Sequence, residues 1–305
     1  MTGTRPPTRD VFGLLLLDKP AGLSSNRALQ QVKRLFGAAK GGHAGSLDPL
    51  ATGMLPIFFG AATRLANYML EARKVYVVTA TLGSATTTGD AEGAPLEDRS
   101  DEPPPTAARV ATAVARFVGE IEQIPPMYSA LKRDGVPLYR LARAGIEVER
   151  APRKVVVEAL SVDRYEWPSL TLTVRCSKGT YVRTLVEDLA RAAGTLGHVA
   201  QLRRLAVDPF DEHGMRSIET LEAAAAEGRA ALDRLLLPAD AALPGWPSVR
   251  LPADDAKRLA RGQAVRIAVA PPRGQVKVYA ESGEFIAIGL LADDDRLTPT
   301  RVFIR

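Results

Sequence analysis

The chain has 305 residues, with 40 Lys plus Arg against 35 Asp plus Glu and a formal net charge of +5. Hydrophobic residues make up 46% and charged residues 25%, an ordinary globular composition that excludes a disordered polyelectrolyte. A single cysteine, Cys176, excludes an internal disulfide, and one Cys with three His leaves too few ligands for a closed zinc site.

The apolar run Val11–Leu17 predicts a buried strand that ends at Lys19-Pro20-Ala21-Gly22. Seven residues are too few to cross a bilayer and the run does not have the form of a signal peptide, so a soluble, cytoplasmic protein is expected. Ser24 or Ser25 then caps a helix whose apolar Ala28, Leu29, Val32, Leu35 and Phe36 share one face. Gly37–Pro49 reads as a glycine-rich loop, Met54–Phe59 as a short strand, Thr63–Ala72 as a helix and Lys74–Gly83 as a strand. Ser84–Pro105 is polar, rich in Gly, Pro and acid, and reads as a surface excursion. Beyond it come a helix (Thr106–Val118), a basic region containing a short helix (Leu138–Ala144), and paired strands at Val155–Tyr165 and Leu170–Cys176. A helix at Tyr181–Ala193, a strand at Val199–Val207 and helical text over Ser217–Leu237 follow.

Pro238–Pro247, with three prolines and a glycine, is expected to be a linker. After it, a helix at Asp254–Arg261 and strands at Gln263–Val269, Gln275–Tyr279, Phe285–Leu290 and Thr300–Ile304 make a small, mostly β unit. The mixed order of strands and helices in the larger part points to an α+β class with a largely antiparallel sheet flanked by helices. The expected organisation is thus a catalytic-sized body over residues 1–240 and a C-terminal domain over 245–305.

Charge is unevenly spread. Residues 1–80 carry a net +6, 126–183 a net +5 and 245–305 a net +3, with acidic stretches between them. Folded onto one face, the basic stretches make a surface suited to a polyanion; left apart, they are solvated surface. The densest chemical feature is Gly41-Gly42-His43-Ala44-Gly45-Ser46-Leu47-Asp48-Pro49-Leu50-Ala51-Thr52-Gly53. It places one carboxylate in a glycine-rich loop among apolar neighbours, the setting of a desolvated acid that needs a cationic partner; an ordinary Asp-Pro turn has the same local sequence. The loop lacks the Gly-Lys-Ser/Thr ending of a phosphate-binding loop, and the chain has no Gly-x-Ser-x-Gly elbow and no zinc-deaminase signature. What remains is one carboxylate, with no metal and no cofactor expected.

Six segments together resemble the bacterial tRNA pseudouridine-55 synthases, the TruB family. They are LLLDKPAGLSSNRALQQVKR (15–34), the stretch around HAGSLDPLATGMLP (43–56), KVYVVTATLG (74–83), PPMYSALKRDGVPLYRLARAG (125–145), CSKGTYVRTLVEDLA (176–190) and HVAQLRRLAVDPF (198–210). They fall in the family's order and cover most of residues 11–210. The C-terminal unit more weakly resembles the small PUA-like RNA-binding domain that ends many of these enzymes.

The resemblance implies isomerisation of one uridine in the tRNA T loop to pseudouridine. The base is flipped out, its N1–C1′ bond breaks, and C5 joins C1′. It implies Asp48 as the catalytic carboxylate, Arg183 as its partner and Tyr76 as an active-site aromatic. Pairing with Arg183 is expected to keep Asp48 ionised despite burial. Tyr181 and Leu202 match positions lining the uracil pocket, His43 a histidine that enters the T loop, and Arg64 and Lys19 are expected to meet substrate. Residues 126–154 resemble a flap that closes over RNA, and Lys132, Arg133, Arg140, Arg143, Arg150, Arg153 and Lys154 make it the most basic short segment. The partner implied is the T-arm stem-loop of tRNA, bound by a monomer away from any membrane. Arg64 stands where the family often has Lys, and Thr87 where it often has an acid, so only a structural role is expected for Asp90. Related readings are a guide-RNA-dependent pseudouridine synthase subunit and a non-catalytic tRNA-binding or folding protein.

Overall fold

The computed structural model describes residues 8–267 and 272–303. In chain order its elements begin with β1 (Gly13–Lys19), α1 (Ser25–Leu35), β2 (Gly41–His43), β3 (Thr52–Phe59), α2 (Ala66–Leu70) and β4 (Lys74–Leu82). Then come β5 (Ser84–Thr86), β6 (Pro95–Asp98), α3 (Ala107–Ala115), β7 (Gly119–Gln123), β8 (Lys132–Arg133), β9 (Val136–Pro137) and α4 (Leu138–Arg143). The larger part ends with β10 (Arg153–Glu166), β11 (Ser169–Cys176), α5 (Val182–Ala192), β12 (Gly197–Val207), α6 (Ile218–Glu227) and α7 (Arg229–Asp233). The C-terminal unit contains β13 (Ser248–Leu251), α8 (Ala253–Ala260), β14 (Val265–Arg266), β15 (Gly274–Ala280), β16 (Phe285–Leu291) and β17 (Arg296–Val302).

The main sheet runs β1-β3-β12-β4-β11-β10-β7, with β2 also on β3. Every pair is antiparallel except β12 with β3, so the expected α+β class with a largely antiparallel sheet holds. Two sequence patterns set its layers. β1 is a continuous apolar run because it is covered on both faces: Leu15 and Leu17 pack under α1 and α6, Leu14 and Leu16 against the opposite cluster. β4 alternates, and its buried set of Tyr76, Val78, Ala80 and Leu82 packs under α5 and α3.

The parallel β3–β12 pairing carries the site. Gly53 lies opposite Arg204 with φ +96°, and a Cβ there would sit 2.2 Å from the Arg204 carbonyl oxygen. Only glycine admits that approach. It brings the Asp48 loop, which leads directly into β3, alongside β12 and β4.

Several expectations need correction. Pro238–Pro247 is not a free linker: Ala239, Ala242 and Leu243 are buried in one cluster with Leu14, Leu16 and Met54 of the main sheet and Phe285, Ile288 and Phe303 of the C-terminal unit. Proline spacing said nothing of these small apolar residues finding a core. The excursion Ser84–Pro105 is largely on the surface, as expected, and includes the β5–β6 hairpin, but its Asp90 is buried at 4% exposure. Gly228, at φ +117°, splits the text of Ser217–Leu237 into α6 and α7. Thr63–Ala72 starts instead as a 3-10 segment, Gly60–Leu65, before α2. β2, β7 and β13 were not expected; the Gly-Glu-Ile-Glu-Gln of β7 has too few apolar residues to announce a strand. Within Gln263–Val269 only Val265–Arg266 is strand, and residues 268–269 lie outside the described residues, as does Ile304 of the expected last strand.

Candidate active site

Four side chains form the floor of a cavity of about 310 Å³, and the two-residue period of their strands explains why they share one face. Lys74 and Tyr76 come from β4, Leu202 and Arg204 from β12, with Tyr76 opposite Arg204 in register. The Asp48 loop forms one wall; Tyr181, Val182 and Arg183 at the start of α5 form another; Tyr128, Ser129 and Ala130 form a third. A second cavity of about 560 Å³ adjoins it across Asp48 and Arg183, and there Tyr139 and Arg143 of α4 face Thr87, Thr88 and Asp90. The Arg143 guanidinium lies 5.7 Å from the centre of the Tyr139 ring.

Arg183 is the hub. Its Nε is 3.0 Å from Asp48 Oδ2 and one terminal nitrogen is 3.6 Å from Asp90 Oδ2. It also donates to the carbonyls of Thr88 and Tyr128, each at 2.7 Å. The Arg183 and Asp90 side chains are each 6% exposed, whereas Asp48 keeps 43% of its side chain open to the cleft. One guanidinium therefore ties the acid's loop, the excursion and the start of the basic segment. The structural role expected of Asp90 thereby gains a definite partner, and its carboxylate also accepts from the Thr88 hydroxyl and the Glu92 backbone.

Burial pushes the Asp48 carboxyl above its ordinary pKa, Arg183 opposes that, and Asp90 adds to it. The expected pairing with Arg183 is present and works against the burial that raises the acid. Tyr76 is buried, which raises its phenol, with Arg204 pulling the other way. Tyr181 is raised by burial as well. Both are phenols at neutral pH.

The structure brings Asp48, Tyr76, Arg183, Tyr181 and Leu202 together around the cavity. It does not bring the others there. Lys19 is fully buried, and its ammonium donates to the carbonyls of Pro20, Leu23 and Pro49. It holds the turn after Asp48 and is too enclosed to meet substrate as expected. Arg64 is exposed and donates to the Val302 carbonyl, joining the Gly60–Leu65 segment to the C-terminal unit. His43, on β2, has its Nδ1 buried without a hydrogen bond among the described residues. Burial and the Arg204 charge lower its pKa, so it is neutral at pH 7.

Of the basic segment, Lys132, Arg133, Arg140 and Arg143 are exposed on the β8–β9 hairpin and α4. Arg150 is tied down to the Pro125 carbonyl and Glu147. Arg153 and Lys154 belong to β10, and Lys154 pairs with Glu120 of β7. The free basic segment thus ends before Arg153, because strand pairing with β7 captures its last residues.

Sequence reasoning missed Lys74, Arg204, Tyr128 and Ser129. The first two were legible: each lies two residues from a residue already assigned to the pocket, Tyr76 and Leu202, within a strand. Among the described residues no cluster of His, Cys, Asp and Glu is arranged to hold a metal ion, and no helix is long and apolar enough to cross a membrane.

The mixed sheet that carries this carboxylate, arginine and aromatic-lined cavity has the fold of a pseudouridine synthase. The chain belongs to the TruB family. The model described as TruB family pseudouridylate synthase (N terminal domain) matches residues 33–182, the tRNA pseudouridylate synthase B C-terminal domain matches 183–244, and Pseudouridine synthase II TruB, C-terminal, matches 247–303. The tRNA pseudouridine synthase B of Ectopseudomonas mendocina is 50% identical over 297 residues, 96% of each chain. That of Yersinia pestis is 48% identical over 304 residues, covering 97% of this chain and 93% of its own. Among solved structures, a Cbf5-Nop10-Gar1 complex contains a chain that superposes with a TM-score of 0.72 at 24% identity, over 96% of this chain and 85% of that one. That likeness bears on the fold.

Proposed function

We propose that this protein isomerises a uridine of tRNA to pseudouridine, and that its target is the T-loop uridine at position 55. The observation that carries the reading is the Asp48–Arg183 pair at 3.0 Å, set beside a cavity of about 310 Å³ floored by Tyr76 and Leu202. A uracil fits that space only once it has left its stack. Identity near 50% over almost the whole chain to proteins named tRNA pseudouridine synthase B supports tRNA as the substrate, and favours the stand-alone enzyme over a guide-RNA subunit.

In this reading the flipped base lies against Tyr76, between Leu202 and Tyr181. Asp48 meets the sugar carbon C1′, where positive character develops as the glycosidic bond breaks. Arg183 orients that carboxylate. The base turns, C5 bonds to C1′, C5 loses its proton and N1 gains one, so the reaction is balanced without a redox partner and calls for no cofactor. Lys132, Arg133, Arg140 and Arg143 contact the RNA backbone, and the C-terminal sheet, PUA-like in its role, binds RNA beyond the T arm. The enzyme acts as a cytoplasmic monomer.

The test is incubation of an unmodified tRNA transcript with the wild-type protein and with Asp48→Asn, followed by mapping of pseudouridine by position. The expected result is one modified site, in the T loop, and none with the variant, which still binds tRNA. Modification elsewhere would overturn the site assignment, and an active Asp48→Asn would overturn the role of Asp48.

A further inference from the structure

The cavity holds more positive charge than its neutral substrate base calls for. One carboxylate, Asp48, lines it, against three cations, Lys74, Arg183 and Arg204. Arg183 is accounted for by Asp48 and Asp90. Lys74 and Arg204 form no ion pair among the described residues: they are 7% and 1% exposed, and apart from the Tyr76 hydroxyl beside Arg204 their hydrogen bonds go to backbone carbonyls. Lys74 Nζ donates to Leu70 and Ala72; Arg204 donates to Met54 from Nε and to Gly45 from a terminal nitrogen. Burying a cation without a counter-charge is costly, so the arrangement needs a reason. Each cation also keeps protons beyond those bonds: an ammonium has three and a guanidinium five.

Resting on the isomerase reading, we propose that Lys74 and Arg204 bind the uracil as an anion while it is detached from the sugar. When the N1–C1′ bond breaks, its electron pair stays on N1 and spreads to O2 and O4. At that moment the base carries a full negative charge, enclosed away from water. Two fixed cations at the cavity floor match it there, and match the neutral uridine and neutral pseudouridine on either side of it much less. Stabilising charge that exists only between reactant and product lowers the barrier without tightening ground-state binding. The anion then returns its electron pair from C5 to C1′, C5 gives up its proton, N1 takes one up, and the excess positive charge is again uncompensated. Burial first, and then the Arg204 charge, lower the Lys74 pKa to about 8, with Cys176 and Glu71 opposing.

A phosphate is the other anion tRNA brings, and it is the competing occupant. The two cations line the cavity beside Tyr76 and Leu202, the residues against which the proposed reading sets the base.

The experiment compares tRNA transcripts carrying uridine or 5-fluorouridine at the target, with wild type, Lys74→Met, Lys74→Arg and Arg204→Lys. The readout is single-turnover breakage of the target N1–C1′ bond, the step both bases share because a C5-fluorinated base has no C5 proton to release. Fluorine withdraws electrons and makes the detached base a more stable anion that needs less help. Lys74→Met is expected to slow the uridine substrate roughly 100-fold, the scale of losing one charge-stabilising donor, and the fluorinated one about tenfold or less. Lys74→Arg restores most of the rate, and tRNA affinity is unchanged. Equal losses on both substrates would overturn the assignment, as would weaker tRNA binding with a shallower salt dependence, which marks a phosphate site. Should Lys74→Met fail to fold by circular dichroism, Lys74→Gln and Arg204→Lys carry the same substrate comparison. Wild-type conversion of the uridine transcript is the separate control: its failure overturns the isomerase reading itself, whereas an active wild type with equal losses overturns only the anion site.

Discussion

Replacing Arg183 by Met keeps the aliphatic packing of α5 and removes the guanidinium. Asp48 at 3.0 Å, Asp90 at 3.6 Å, and the carbonyls of Thr88 and Tyr128 at 2.7 Å are all left without it. With both side chains 6% exposed, the Arg183–Asp90 pair is broken inside the protein, a class of change that costs about 3–5 kcal/mol. Asp48 is 43% exposed, so its share falls to the surface scale of less than about 1 kcal/mol. The expected loss in urea unfolding is therefore about 3–5 kcal/mol with an unchanged m value. A pH profile adds a test that a merely structural role would not pass. Activity that needs ionised Asp48 appears as pH rises through its pKa; Arg183 lowers that pKa and Asp90 raises it. The acid limb of single-turnover pseudouridine formation must then move to higher pH in Arg183→Met and to lower pH in Asp90→Asn. Limbs that move in the same direction, or a destabilisation below about 1 kcal/mol, would refute the reasoning.

Gly53→Ala places a methyl 2.2 Å from the Arg204 carbonyl at φ +96°, and is expected to cost about 3 kcal/mol or more, read as a loss of soluble protein or a lower urea midpoint. Lys19, fully buried, has its pKa lowered from 10.5 to about 8, chiefly by burial. Between those values the unfolded chain holds a proton that the folded chain has released, so wild-type stability rises with pH relative to Lys19→Met, by up to about 3 kcal/mol. Paired urea curves at both ends of that window check this, and a constant difference would refute it. Reversing Arg140 and Arg143 to Glu should weaken tRNA binding and reduce its salt slope by about one for each phosphate that is no longer neutralised. An unchanged slope would remove these two from the RNA interface.

Much of the fold was legible because its patterns are local. The leucines of β1 and the alternation of β4 announce two different burial states, and both occur. The acid's loop was legible through its glycines. What was not legible depends on partners far apart in sequence. Nothing near Asp90 says that Arg183, across the chain, will bury it. Lys19 reads as a substrate contact until the carbonyls that enclose its ammonium are known. Arg153 and Lys154 looked like the end of a basic loop because β7, the strand that pairs with them, has so weak a strand signature of its own.

The cluster joining Leu14, Met54 and Phe58 to Phe285, Ile288 and Phe303 has a consequence for measurement of length. A module hung on a tether samples many distances from Asp48; one that shares side-chain packing with the strand leading out of the Asp48 loop has a single distance. Under the proposed function, RNA bound on the C-terminal sheet would be held at a fixed offset from Asp48, and which nucleotide reaches the cavity would be a matter of geometry as well as of sequence.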